Sequence, residues 1–171
     1  MIRFTYFILV FFALFLLQSG LSNAEERAQR LTLEQAKRII IEKGARKAVE
    51  TSFEDRWDQL LDAIATGVSS WLDIAVELGR HSDAEAAETL DAAMGEALQH
   101  SPREVLLRLD GKPFRPENVC GNCFADMGIQ GATDFKGSIA RQEAAVASVQ
   151  DAALRDRRDR CLKLIRKNKQ P

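Results

Sequence analysis

The stretch GVSSWLDIAVELGRHSDAEAAETLDAAMGEALQHSPREVLLRL, residues 67–109, decides the fold class. Apolar residues recur in it at helical spacing. Trp71, Ile74, Ala75 and Leu78 form one stripe, and Ala87, Leu90, Met94 and Ala97 form the next. Helix-start signals separate the two. Ser70-Trp71-Leu72-Asp73 can open one helix, and Ser82-Asp83-Ala84-Glu85 reads as a capping box. Ser101-Pro102-Arg103-Glu104 puts an N-cap, a first-position proline and a third-position acid ahead of VLLRL. Gly67 and Gly79 read as stops. Neither here nor elsewhere do Val, Ile and Thr alternate with polar residues over a strand length, so the expected class is all-α.

The pattern extends in both directions. Upstream, Phe53, Trp57, Leu60, Leu61 and Ile64 make a helical stripe, and Thr32-Leu33-Glu34-Gln35 is a capping box before AKRIIIEKGA. Downstream, residues 110–137 concentrate Gly and Pro and read as one irregular segment before a helical C-terminus. Turns of two or three residues make antiparallel neighbours. The spacing therefore predicts short helices stacked as helical hairpins, HEAT-like, with one Gly/Pro-rich loop tethered by a disulfide. Trp57 and Trp71 sit among aliphatic residues at helical spacing and are expected in the core.

The N-terminus has a different character. Arg3 is followed by a run from Phe4 to Leu17 that is apolar apart from Thr5. This suits a signal-peptide h-region of roughly 7–15 residues better than a spanning helix of roughly 20. Ser22 and Ala24 supply small residues for cleavage. The expected organisation is a signal peptide at 1–24 and a single helical domain at 25–171, located in the periplasm.

Export bears on the cysteines, because disulfides persist outside the reducing cytosol. Cys120 and Cys123 lie in ENVCGNCFAD, and Cys161 follows near the C-terminus. A c-type haem site needs His where Phe124 stands, and a thioredoxin-like site needs a strand where KPFRPENV reads as loop. A zinc site would need all three cysteines with His81 or His100. A disulfide is the leading expectation. Two cysteines spaced C-x-x-C rarely form a purely structural bridge, so Cys161 should be one partner. Cys120–Cys161 is the favoured pair, worth roughly 3–4 kcal/mol by loop entropy, with Cys123 left over. No metal and no cofactor is expected.

Gly67-x-x-x-Trp71-Leu72, Asp83-Ala84, Leu90/Ala93/Ala97-Leu98 and Pro102-x-x-Val105-Leu106, with cysteines at 120 and 161, make up a pattern. It resembles a group of small exported bacterial all-helical proteins of unassigned function. The resemblance covers roughly the middle third of the chain plus those cysteines. Its residues serve packing and capping, so it implies a fold and no active site. It also favours Cys120–Cys161, with Cys123 a departure.

No phosphate loop, HExxH or GxSxG is present, and no Ser-His-Asp set can be assembled with specificity. His81 and His100 flank one helix and would lie about 28 Å apart along it. The expectation is therefore a protein without catalytic activity. Charge is more informative. From Phe53 to Glu96, eleven acids against two bases give a net charge of −9. From Lys136 to Pro171, ten bases against four acids give +6. The acids Asp55, Asp58, Asp62, Glu85, Glu88 and Asp91 fall opposite the apolar stripes and are expected to face solvent as a partner-binding surface. The bland alternative is that the acidic and basic faces are merely solvated and attract each other.

The leading functional expectation is a periplasmic, non-enzymatic binding protein for a protein partner with a basic surface. In its most specific form it is an immunity-type inhibitor of a secreted antibacterial toxin. No nucleic-acid partner is expected. The alternatives are an envelope accessory protein touching anionic lipid or polymer weakly through its basic C-terminal helix, and an envelope hydrolase.

Overall fold

The computed structural model describes residues 30–109, 111–121 and 135–167. The expected signal peptide and Cys123 lie outside the described residues. The chain divides into two compact units between Thr32 and Leu33, and every helix described belongs to the second.

Nine α-helices are found among the described residues, with no strand. They are α1 (Leu33–Lys43), α2 (Ala45–Lys47), α3 (Trp57–Ala65), α4 (Ser69–Gly79) and α5 (Ala84–Ala97), then α6 (Pro102–Arg108), α7 (Pro116–Val119), α8 (Phe135–Ala147) and α9 (Arg155–Lys167). A π-helical turn, Ala48–Ser52, and a 3-10 turn, Glu54–Arg56, join α2 to α3. A further 3-10 turn, Ala152–Leu154, precedes α9. The all-α class read from the sequence is the class observed.

Local chemistry accounts for the boundaries, with small shifts from the expected caps. Asp83 rather than Ser82 caps α5, its Oδ1 accepting from the Ala86 N–H at 3.0 Å. The Ser82 hydroxyl instead donates back to the Leu78 carbonyl. Pro102 begins α6 as expected, but Ser101 before it makes no side-chain capping bond. Gly67 follows α3 at φ 74°, a left-handed conformation that glycine adopts without strain. A Cβ there would also collide with Ser101, at 2.8 Å.

Successive helices pack as the short turns predict, α3 on α4 and α4 on α5, but the contacts centre on one helix and mark no repeated unit. Helix α5 is a hub. It packs most extensively on α3, and also on α4, α6 and α7, while α9 returns to α7 and α8. Composition explains this. The helix α5 buries Leu90, Asp91, Ala93, Met94, Gly95 and Ala97, an arc far wider than one apolar stripe. Its small residues let neighbours approach on several sides. At Gly95 a Cβ would stand 2.9 Å from the Val119 carbonyl of α7. The fully buried Gln142 of α8 donates its amide to the Gly95 carbonyl at 2.6 Å. Phe53, Phe114, Leu60, Leu78 and Leu106 complete a core in which each side chain contributes roughly 1.5–3 kcal/mol by burial.

A polar clamp locks α6 to α4. The Arg108 side chain is only 14% exposed. Its guanidinium donates to the Asp73 carboxylate at 2.6 Å, the Ser69 hydroxyl at 2.7 Å and the Glu104 carboxylate at 3.2 Å. The hydrogen bond from Arg108 first, and another from the Ser69 hydroxyl, hold Glu104 below the ordinary carboxylate range.

Candidate protein-interaction surface

The acids of the described residues include two kinds. Asp73, Glu77, Glu104, Glu117, Glu143 and Asp151 each pair with an arginine. Asp55, Asp58, Asp62, Glu85 and Glu88 are exposed, and among the described residues none of them has an ion-pair partner. Asp55 lies in the 3-10 turn before α3, Asp58 and Asp62 on α3, and Glu85 and Glu88 on α5. These five unpaired acids thus lie on or just before the packed helices α3 and α5.

Asp91 does not belong to that set. It was expected at the solvent face, but it is 8% exposed and lies within the wide buried arc of α5. A helix that presents one stripe to one neighbour would leave this position wet; α7 covers it instead. The Asn118 amide of α7 donates to Asp91 Oδ2 at 2.9 Å, and Oδ1 is buried without a partner. Burial, partly offset by Asn118 and reinforced by Glu88, pushes the Asp91 carboxyl up to about 6.

A groove opens beside the exposed acids, where the π-helical turn passes the start of α5. It encloses about 440 Å³ and is lined by Val49, Glu50, Trp57, Asp83, Glu85 and Thr89, with Ala86. Trp57 is half-buried rather than sealed in the core, and so is Trp71. The Trp57 indole N–H donates to Thr89 Oγ at 3.1 Å, and that hydroxyl donates to the Ala86 carbonyl at 3.0 Å. The ring is therefore held in place with its polar edge satisfied. Sequence reasoning missed this groove. Its only advance signal is Thr89, a polar residue beside Leu90 with nothing in the local pattern to explain it.

The basic C-terminal helix is largely committed within the molecule. Arg157 donates to the carbonyls of Leu106 and Leu107 at 3.2 and 2.9 Å, satisfying the end of α6. Arg158 donates to the Val149 carbonyl, Arg160 to Glu117 and Arg166 to Glu143. None of these bases reaches the exposed acids of α3 and α5. A hydrogen bond from its own backbone N–H, with Arg160 adding to it, holds Glu117 below its ordinary range.

Cys120 and Cys161 form a disulfide, with Cα atoms 5.3 Å apart, joining the end of α7 to α9. That bond removes both sulfurs from any zinc set. His81 and His100 are exposed, in the turns before and after α5. Among the described residues no group of His, Cys, Asp and Glu is arranged to hold a metal ion, and no helix is long and apolar enough to cross a membrane. No protein family, no curated protein and no solved structure matches the chain.

Proposed function

We propose that this is a periplasmic, non-enzymatic binding protein whose exposed acids on α3 and α5 receive a protein partner with a basic surface. One observation carries the reading: Asp55, Asp58, Asp62, Glu85 and Glu88 stay unpaired on or just before two helices that pack together, whereas Asp73, Glu77, Glu104, Glu117, Glu143 and Asp151 are matched with arginines. Unneutralised charge of one sign steers association with a complementary surface and raises its rate. The Cys120–Cys161 bond suits an oxidising compartment. The N-terminal signal-like run and the resemblance to exported helical proteins point the same way. In its most specific form the proposal is an immunity-type inhibitor of a secreted antibacterial toxin, by analogy with small exported helical inhibitors.

The test compares the wild-type chain with Asp58→Lys/Asp62→Lys/Glu88→Lys as bait in periplasmic extract. A partner retained by the wild type should associate with the reversed variant at least about tenfold more slowly at low salt. An unchanged rate, with the helical circular-dichroism spectrum intact, would reject the acidic surface as the contact. For the immunity form, the retained partner should be a toxin whose activity the wild type blocks.

A further inference from the structure

Exposed charge explains steering but gives no anchor. An interface also needs a place where a partner side chain is desolvated and held. The groove at the start of α5 is such a place on the acidic side of the molecule. Resting on the reading above, we infer that this groove is a receptor for an arginine side chain of the basic partner, with its guanidinium lying against Trp57 between the carboxylates of Glu50 and Glu85.

Three features converge on that ligand. The first is charge: Glu50, Asp83 and Glu85 all line the groove, and no base does. Asp83 spends Oδ1 on capping α5, which leaves Glu50 and Glu85 as the freer acceptors. Arg46 stands 3.9 Å from Glu50, but both side chains are well exposed, so water screens the pair and an incoming guanidinium can displace it. The second feature is the wall. The Trp57 N–H is already used by Thr89, so what the ring offers a ligand is its π-face, which attracts cations. The third is the kind of cation. The carboxylates do not converge into a set able to hold a metal ion. Val49 and Trp57 also make part of the lining apolar. A delocalised, weakly hydrated guanidinium with an apolar stem fits such a lining better than a compact, strongly hydrated ammonium. The volume, about 440 Å³, is in the range of sites that enclose a group of this size.

The groove can be tested without the natural partner. The probe is a capped tetra-arginine peptide, and the control is the same peptide with citrulline, which keeps the shape and removes the charge. The readout is the indole N–H signals of ¹⁵N-labelled protein, with Trp57 assigned from the Trp71→Phe variant. The Trp57 signal should shift saturably with arginine and not with citrulline. Glu50→Gln/Glu85→Gln should weaken that binding by about tenfold, while circular dichroism stays unchanged. A lysine peptide should bind more weakly than the arginine peptide.

Calorimetric binding of tetra-arginine with the Trp57 signal unmoved would overturn the groove while leaving the wider acidic surface standing. Equal shifts with citrulline would overturn the guanidinium assignment. A saturable, arginine-specific Trp57 shift that persists in Asp58→Lys/Asp62→Lys/Glu88→Lys would support the groove, even if that variant associates with the natural partner at an unchanged rate. Absence of any binding would overturn the proposal outright.

Discussion

Asp91 Oδ2 accepts a hydrogen bond of 2.9 Å from the Asn118 amide, while Oδ1 of the same carboxylate is buried with no partner. A charged carboxylate half-satisfied in a dry interface costs stability, and a proton on it relieves that cost. Burial is the main reason its titration lies near 6 rather than at the ordinary 3.8. The folded state therefore holds this proton more tightly than the unfolded chain does. The cost is fully present above pH 6, shrinks as pH falls through 6, and is gone below about 4. Glu104 and Glu117 act oppositely, because their lowered folded values make stability present above 4.5 that is lost at lower pH. Between pH 7 and 5 the Asp91 effect should dominate. Chemical denaturation should show stability rising by about 1–2 kcal/mol over that interval. In Asp91→Asn the rise should vanish, and the variant should match or exceed the wild type at pH 7.5. A wild-type profile that is flat from pH 7 to 5 would contradict the account.

The Cys120–Cys161 bond closes a sequence separation of 41 residues and ties α7 to α9. Non-reducing peptide mapping should recover that cross-link. Cys120→Ser and Cys161→Ser should each lower stability by about 2–4 kcal/mol, and the double variant by no more than either alone. Additive losses would mean that the two sulfurs are not joined in the folded protein.

What the sequence made legible was what depends on local rules. The Asp83 region, Pro102 and Gly67 mark their helix boundaries within a residue or two, because caps and left-handed glycines act over one turn. Asp91 and Trp57 were misplaced for a common reason. Periodicity reports which face of a helix is apolar, not how many neighbours surround it. A helix such as α5, with four packing partners, buries positions that a single stripe would leave exposed. Conversely, Trp57 is left half-buried at the edge of the α3–α5 contact, where the π-helical turn stands off and opens the groove. Gln142 carries no local sign that it will be buried; its role depends on meeting Gly95, 47 residues away.

Gly95 offers a test of that crowding. In an exposed helix interior, replacing glycine by alanine gains about 1 kcal/mol. At Gly95 the new methyl would meet the Val119 carbonyl at 2.9 Å, and a backbone oxygen in a disulfide-tethered helix has little room to retreat. Overpacking costs about 1–3 kcal/mol, so the sign should reverse. Gly95→Ala should lower stability by about 1 kcal/mol. It should also speed hydrogen exchange at the amides of α7, which depend on that contact, more than at those of α3. A stabilised variant would show that α7 does not press on α5.

The exposed acids should show a conflict between stability and binding. Asp58 and Asp62 are four residues apart on α3, both exposed and both without an ion-pair partner among the described residues. Like charges at that spacing destabilise a helix by a few tenths of a kcal/mol. Asp58 lies in the first turn, where the helix dipole offsets part of the repulsion; Asp62 lies beyond it. Asp62→Lys converts the repulsion to an attraction in the favourable order, acid before base, and adds helix propensity. Stability should rise by about 0.5–1 kcal/mol at low salt. The electrostatic share of that gain should fade towards 1 M salt, where the screening length is about 3 Å, and the propensity share should remain. A surface kept for a basic partner should lose association rate through the same substitution that stabilises the fold. Measuring both on one variant separates the cases. Gained stability with slowed association marks Asp62 as part of the contact surface, whereas gained stability with unchanged association marks it as solvated charge and moves the contact away from α3.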